Sequence, residues 1–208
     1  MSKRERWFQQ RLIVPICIAV LFLAVALAIV PRYLRYADRP RSADVIVLFV
    51  GPEVAQRRER AESLLRAGYA DTLYIPAYRT VVSRAGTTDV RVMIAATDRD
   101  SWLKRNKRKF YPDHYEETHL EVLLAKEFMT ERGFRSALFV SSPYHMRRIR
   151  MMADEELGKA GMTAQCVPYE DHARSFQLWM LSRPDFRWVI TECAKIGWYL
   201  IYHKQVSA

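Results

Sequence analysis

The longest uncharged stretch of this chain lies near its N terminus. Residues 12–30 (LIVPICIAVLFLAVALAIV) form a run of 19 positions without a charge. A helix of that length covers about 28 Å, close to the ~30 Å hydrocarbon core of a bilayer. The flanks carry aromatic residues of the kind found in interfacial belts, namely Trp7, Phe8, Tyr33 and Tyr36. The run predicts a transmembrane anchor. The alternatives are a buried core helix or a cleaved signal peptide, since Ala-x-Ala occurs at 24–26 and 26–28.

The run divides the chain into segments of different character. Residues 1–11 form a basic flank, 12–30 the anchor, 31–42 a short basic stalk, and 43–208 a single globular domain. Four Lys or Arg residues precede the run and four follow it, so the positive-inside rule does not decide the orientation. Nothing in the sequence sets the oligomeric state.

The net charge of +10, from 33 Lys+Arg against 23 Asp+Glu, narrows the class of partner. Basic chains of this size bind nucleic acid, anionic lipid or phosphorylated ligands. No nucleic-acid module is recognisable, and a membrane-tethered chain rarely searches DNA, so no nucleic-acid partner is expected. Three scattered cysteines exclude a disulfide scaffold or a zinc ribbon, although they leave pairing of Cys166 with Cys193 open. The remaining partners are an anionic membrane surface and a phosphate-bearing small molecule or lipid-linked intermediate.

Strand and helix patterns alternate after residue 43. Apolar runs predict strands at 44–50, 72–76, 136–141 and 163–168, and amphipathic stretches predict helices at 53–67, 115–132 and 143–157 with a further helix closing the chain. Residues 89–96 fit either a strand or a helix, and 102–110 form a basic, exposed tract. The alternation predicts a Rossmann-like three-layer α/β sandwich with a mostly parallel sheet. Ligands of such sheets bind outside the carboxyl ends of the strands.

The strand end at Val140 is followed by an unusual helix start. Ser142 is a good N-cap and Pro143 a good first helical residue. The first turns then carry His145, Arg147, Arg148 and Arg150. Each cation at this positive end of the helix dipole is disfavoured by ~0.3–1 kcal/mol, which a bound anion would offset. The alternative is a solvated basic face compensated by the acidic residues at 154–156, with His145 packed in the core.

The strand end at Val50 carries a weaker signal. Gly51 precedes a helix that contains Arg57, Arg58 and Arg60, but no Gly-x-Gly-x-x-Gly fingerprint is present. No Gly-x-Ser-x-Gly frame surrounds Ser141 or Ser142 either.

Other constellations favour structural roles. Asp113, His114, His119 and Glu121 do not have a recognised metal-ligand spacing, so surface positions are expected for them and no metal or cofactor is predicted. Cys166 is expected in a core strand.

Four blocks of the globular part resemble the ElyC/SanA/YdcF family, the domain of unknown function 218. They are Ala43–Gly51, the series Arg57, Ala61, Leu64 and Gly68, the segment Thr118–Val122, and Val140–Ile149, all within 43–170. The chain departs from the family pattern at Val50, at Ile75-Pro76-Ala77, and at His119 and Val122. It is therefore similar to a divergent member. The resemblance implies a Rossmann-like fold and a role in the bacterial cell envelope, near peptidoglycan or lipid-carrier metabolism, with the domain outside the cytoplasm.

Two functional hypotheses follow. In the first, the domain binds or acts on a phosphate-bearing envelope intermediate. The predicted catalytic residues are then His145, as a general acid or base, and Glu121, which orients His145 or acts as its partner. The ligand-binding residues are Gly51, Arg57, Ser141, Ser142 and Arg148, with the two arginines as an anion clamp. In the second, the protein is a non-catalytic membrane-bound factor that uses the basic tract 104–109 on anionic lipid or a protein partner.

Overall fold

A computed structural model describes residues 3–85, 101–113, 116–169 and 183–206. The chain divides into two compact units, residues 1–33 and 34–208. The strand-or-helix prediction at 89–96 lies outside the described residues.

The first unit is occupied by helix α1 (Lys3–Leu34), which contains the uncharged run. Large apolar side chains of α1 are exposed, among them Ile16, Ile18, Leu21, Phe22 and Ile29. Within the part of the chain that the structure describes, no helix combines the length and the apolar character needed to cross a membrane.

The second unit is built on a five-stranded sheet in the order β3-β2-β1-β4-β5. The strands are β1 (Val45–Leu48), β2 (Thr72–Ile75), β3 (Thr80–Ser83), β4 (Ser136–Val140) and β5 (Thr163–Cys166). Four of them are parallel, which confirms the predicted mostly parallel α/β sheet. The antiparallel edge strand β3 was not predicted. It pairs with β2 because a single 3-10 turn (Pro76–Tyr78) and the left-handed residue Arg79 reverse the chain.

In the described part of the second unit, five α-helices accompany the sheet. They are α2 (Val54–Arg66), α3 (Trp102–Phe110), α4 (Glu117–Arg132), α5 (Met146–Gly158) and α6 (Arg183–Val206). The predicted helices at 53–67, 115–132 and 143–157 are confirmed with small shifts of their ends. α4 stops at Gly133, whose φ of 69° suits a glycine C-cap. The basic tract 102–110 is itself the helix α3.

The sheet is buried on both faces, as continuous apolar strands require. Val45, Val47 and Phe49 belong to the cluster that includes residues of α4, α5 and α6. Ile46 and Leu48 point the other way, to the cluster that includes α2. The result is a three-layer arrangement of helix, sheet and helices.

The predicted stalk is in part bound to the domain. The Asp38 backbone N–H donates to the Cys166 carbonyl at 2.8 Å, and Asp38 Oδ2 accepts from the Cys166 N–H at 2.8 Å. The Arg41 N–H donates to Gln165 Oε1 at 2.8 Å. Residues 38–41 therefore lie along the edge strand β5 and satisfy polar groups that an open edge would expose.

Strand order places a crevice at one point of the sheet. From β1 the chain passes through α2 to β2 on one side, whereas β4 and β5 lie on the other side of β1. The helices that follow β1 and β4 pack on opposite faces. At such a switch point the carboxyl ends of the two strands, here β1 and β4, border a crevice where ligands of α/β proteins bind.

Candidate functional site

A cavity of about 420 Å³ lies at the carboxyl ends of β1 and β4. Six of the seven predicted site residues line it: Gly51, Arg57, Glu121, Ser141, His145 and Arg148. The seventh, Ser142, is hydrogen-bonded to Arg57. The parallel strands bring these residues together from positions up to 97 apart in the sequence.

Arg57 of α2 forms the inner wall on the β1 side. Its guanidinium is buried and donates from Nε and Nη2 to Ser142 Oγ, at 2.9 and 2.6 Å, and from Nη1 to the Phe49 carbonyl at 3.2 Å. Burial lowers the pKa of Arg57, while the negative charges of Glu121 and Glu53 oppose that effect. Arg57 was predicted to clamp an anion. The structure commits its donors largely to the protein, so it contributes charge and rigidity more than free hydrogen bonds.

Gly51 sits directly against this guanidinium. A Cβ at Gly51 would lie 2.9 Å from Arg57 Nη1, and the φ of +152° is one that residues with side chains rarely adopt. The backbone conformation therefore favours glycine here, and the buried Arg57 guanidinium leaves little room for a Cβ.

Ser142 has a role that its sequence context did not predict. It precedes the 3-10 turn Pro143–His145, as an N-cap would, but its side chain makes no capping bond. Its hydroxyl accepts from Arg57 and donates to Glu53 Oε2 at 3.1 Å. The same carboxylate oxygen accepts from the Tyr169 hydroxyl at 2.7 Å. The charged partners displace the expected cap because a charge-assisted bond is stronger than a neutral one.

Arg148 of α5 forms the wall on the β4 side. Its Nε donates to Glu192 Oε2 at 2.8 Å, its Nη2 lies 3.3 Å from Glu192 Oε1, and its Nη1 is paired with Glu116. The side chain is 2% exposed and Glu192 is fully buried. Arg148 was also predicted to clamp an anion, but two protein carboxylates already hold it. It is better described as part of a buried ion-pair network that supports the cavity.

Glu192 of α6 is the centre of that network. Burial opposes its ionisation, but His145 and Arg148 outweigh burial and hold the pKa of Glu192 well below its usual range. Lys195 Nζ adds a contact of 3.2 Å to Glu192 Oε1. The carboxylate is therefore ionised across the physiological pH range.

His145 is held by Glu192 through one ring nitrogen. Nδ1 lies 2.9 Å from Glu192 Oε1 and 3.2 Å from Arg148 Nη2. A carboxylate only accepts and a guanidinium only donates, so Nδ1–H donates to Glu192 and Arg148 Nη2 uses Glu192 Oε1 as its acceptor. With Nδ1 bonded to Glu192, Nε2 is the ring nitrogen available for proton transfer. A carboxylate-oriented histidine beside a cavity can transfer a proton as general base or acid.

Glu121 was predicted to orient His145, and the structure gives that role to Glu192. Glu121 lies on α4, is buried, and its Oε1 accepts from the Val50 N–H at 3.3 Å. This bond connects α4 to the strand end at Gly51. The negative charge of Glu121 also raises the pKa of Arg57, against the effect of burial.

Three lysines line the same cavity and were not predicted to do so. Lys104 and Lys107 come from α3, and Lys195 comes from α6. Ser101 is the N-cap of α3, and its hydroxyl accepts from the Lys104 N–H at 3.2 Å. The buried side chain of Leu103 holds α3 to the domain. The basic tract is thus divided: Lys104 and Lys107 line the cavity, whereas Arg105, Arg108 and Lys109 do not.

A sequence signal for Glu192 and Lys195 existed. They stand three residues apart in an otherwise apolar helical stretch, a spacing that places both on one face. A buried charge of this kind needs a partner, but the sequence does not indicate which cation supplies it. The two remaining arginines of the helix start are elsewhere: Arg147 lies over the Tyr36 ring at 4.7 Å, and Arg150 Nε donates to Asp154 at 2.8 Å.

His119 was expected at the surface and is buried. Its Nδ1 is hydrogen-bonded to the Tyr202 hydroxyl, and its Nε2 lies 3.2 Å from Glu156 Oε1. Glu156 also accepts from Lys126 Nζ at 3.2 Å. Among the described residues, no group of three His, Cys, Asp or Glu side chains could hold a metal ion. His114 lies outside those residues. Cys166 is buried in β5 as predicted, and Cys193 is an exposed free thiol.

Comparisons with protein-family models, with curated proteins and with solved structures found no match to this chain.

Proposed function

We propose that this chain is a membrane-anchored protein of the bacterial cell envelope whose α/β domain binds a phosphate-bearing ligand. The single observation that carries the proposal is the set of three lysines (Lys104, Lys107 and Lys195) lining a cavity at the switch point of a parallel sheet. Lysine ammonium groups are effective phosphate ligands. The hydrogen-bonded arginines behind them give the cavity a rigid wall.

The two arginines of the inner wall are more deeply buried than the lysines, so we assign the ligand to the lysines. Glu192 and Glu116 neutralise Arg148, and Ser142 with the Phe49 carbonyl occupies much of Arg57. A ligand phosphate that displaced either arginine would leave a buried carboxylate or hydroxyl without its partner, at a substantial cost in free energy.

The Glu192–His145 pair makes a proton-transfer step part of the proposal. A phosphate ester or anhydride held by the lysines would lie in the cavity that His145 lines. His145, with Glu192 holding Nδ1, can then protonate a leaving oxygen or activate a nucleophile through Nε2. If the protein binds its ligand without reacting with it, substitution of His145 should leave the ligand affinity unchanged.

The envelope assignment rests on the N-terminal helix and on the family resemblance. The exposed apolar side chains of α1 are of the kind that a bilayer covers, as at Phe22, which is 75% exposed. We propose a single-pass location in the cytoplasmic membrane with the domain outside the cytoplasm, in envelope biogenesis (peptidoglycan or lipid carrier) or barrier maintenance. A reporter fused at Ala208 that is active only in the cytoplasm would contradict this topology.

The binding proposal is tested with ethyl phosphate as probe and the full chain in phosphatidylcholine nanodiscs. We expect Lys104→Gln combined with Lys107→Gln to weaken binding by about tenfold or more, because two cavity-lining charges are lost. The matched control is Arg39→Gln combined with Arg66→Gln, which removes the same charge from exposed positions that line neither this cavity nor the adjoining one bordered by Lys104, Arg105, Lys107 and Arg108. Equal losses in the two double variants would reject a localised site.

A second function is supported by the outer side of α3. Arg105, Arg108 and Lys109 are exposed there, and Trp102 stacks on Phe110 with ring centroids 5.8 Å apart. Such a surface suits anionic lipid. In this alternative, neutralising Arg105, Arg108 and Lys109 abolishes complementation of an envelope-stress phenotype, while His145→Ala leaves it intact. Loss of complementation in the His145 variant would favour the cavity instead.

A further inference from the structure

We infer that the ligand of the cavity is an anionic amphiphile, with its phosphate among the three lysines and its hydrocarbon chain along the outward face of α6. This inference rests on the proposed function and names the class of ligand for the same site.

The orientation of α6 is determined by its inward face. Val189, Glu192, Tyr199 and Tyr202 are buried there. Glu192 is bonded to Arg148 and Tyr202 to His119. The opposite face must therefore point away from the domain core.

That opposite face is apolar over much of the helix. Five large side chains on it are between 46% and 61% exposed: Phe186, Ile190, Trp198, Leu200 and Ile201. Cys193, Ala194 and Gly197 continue the same surface. Among the exposed residues whose side chains the structure describes on α6, Arg187 alone carries a charge. The stretch from Phe186 to Ile201 extends about 22 Å. A contiguous apolar patch on a surface is typically an interaction site.

The apolar face is continuous with the cavity. Lys195 and Trp198 both line the cavity, and Trp198 is half exposed. Lys195, Trp198 and Ile201 follow one another at intervals of three residues, which is a row of neighbours on a helix surface. The row leads from a cation at the cavity to the centre of the outward face. A ligand whose head group lies beside Lys195 therefore meets apolar surface directly as it leaves the cavity.

An amphiphile accounts for both halves of this arrangement. A small phosphorylated metabolite would use the lysines and leave the apolar row uncovered. A second copy of the chain, or the bilayer itself, would cover the row but would not require it to start at a cationic cavity. A phosphate with an attached hydrocarbon chain matches the change from charge to apolar surface along the row.

The test compares ethyl phosphate with hexyl phosphate by titration calorimetry on the full chain in phosphatidylcholine nanodiscs, with empty nanodiscs subtracted. Four additional methylenes, partly buried, should make hexyl phosphate bind about tenfold more tightly. Ile190→Ser combined with Ile201→Ser should abolish that preference and leave ethyl phosphate binding unchanged. Because the substituted residues are exposed, the variant should fold. An unchanged affinity for ethyl phosphate would verify that it does. The matched control is Val81→Ser, an exposed valine on β3 that does not line the cavity; it should keep the full preference.

The failures are distinguishable. If both phosphates bind equally well to the unaltered chain, the amphiphile is rejected and the phosphate site stands. A preference for hexyl phosphate that persists in the Ile190/Ile201 variant rejects the α6 face as the chain-binding surface. If neither phosphate binds, the proposed function itself fails. A chain that is dimeric by sedimentation, but monomeric in the Ile190/Ile201 variant, overturns the inference in favour of a second copy.

Discussion

Two buried histidines of this domain look alike locally and differ in what they can do. His119 and His145 are both nearly inaccessible and both lie beside a glutamate, Glu156 and Glu192 respectively. His119 has a partner at each ring nitrogen, whereas every described side-chain hydrogen bond or ion pair of His145 is made by Nδ1. His145 also lines the cavity, and His119 does not. A carboxylate partner alone thus does not mark a reactive histidine; a second nitrogen left for chemistry, next to space for a ligand, does.

The His145 cluster comprises His145, Arg148 and Glu192, and the His119 cluster comprises His119, Glu156 and Tyr202. The largest effect is expected when the His145 cluster loses Glu192, which is fully buried. Glu192→Ala leaves Arg148 and His145 buried with less compensation, so we expect the free energy of unfolding to fall by about 3–5 kcal/mol. Denaturant titration of the full chain in detergent measures it. Glu156→Ala is the matched change in the His119 cluster and should cost less, because the Glu156 side chain is 14% exposed and Glu192 is at 0%. If the two variants lose the same free energy of unfolding, burial of the glutamate does not distinguish the two clusters.

His119→Leu should lower stability without affecting the ligand. The variant removes the two bonds that His119 makes from α4, one to Glu156 of α5 and one to Tyr202 of α6. It leaves Glu156 and the Tyr202 hydroxyl with fewer partners, at a cost of about 1–3 kcal/mol. Ethyl phosphate affinity should stay within about twofold of the unaltered chain. A large loss of affinity at full folding would show that the His119 cluster shapes the cavity as well.

His145→Gln should have the opposite profile. Glutamine can still donate to Glu192, so we expect a loss of stability below about 1 kcal/mol. Any turnover of a phosphate ester should fall by about 10²–10⁴-fold, because the amide cannot transfer a proton. The readout is the pH profile of turnover together with ethyl phosphate affinity. Retained turnover would reject the acid–base role, and unchanged affinity together with lost turnover would support it.

The smallest effect is expected in the stability of the protein at acid pH. The hydrogen bond from His119 lowers the pKa of Glu156 from 4.5 to about 2, against the effect of burial, and Lys126 adds to it. Because the folded-state pKa lies below the ordinary value, the stability from this group is present above pH 4.5 and is lost as pH falls towards 2. The difference in melting temperature between the unaltered chain and Glu156→Gln should therefore shrink between pH 6 and pH 3. A difference that is constant over that range would contradict the ion pair.

Much of the fold and half of the site were accessible to sequence reasoning. The uninterrupted apolar strand at β1, the glycine that ends α4 and the block from Val140 to Arg148 are local patterns with a local cause. The rule that parallel strands bring their carboxyl ends to one edge then placed Gly51 and Arg57 beside Ser141 and His145. The short antiparallel strand β3 escaped because a hairpin closed by a 3-10 turn has no strong residue signature.

The partners of the charged residues were not accessible in the same way. Arg148 and His145 pair with Glu192, which lies 44 and 47 residues further along the chain, respectively. Glu192 belongs to α6, whose mostly apolar sequence predicts a packing role. Ser142 has the position of a cap but bonds to Arg57. Lys104 and Lys107 share a tract with three other cations, and only the placement of α3 separates those that line the cavity from those that do not.

The sequence by itself determined the alternating α/β pattern, the strands and most helix ends, because these depend on side-chain periodicity and turn residues within a few positions. Tertiary structure alone decided which charges neutralise each other. A buried arginine binds whichever carboxylate the packing brings within 3 Å, and that choice depends on the face that a distant helix presents. For this protein, that choice placed the two arginines in the cavity's supporting wall and left three lysines at its rim.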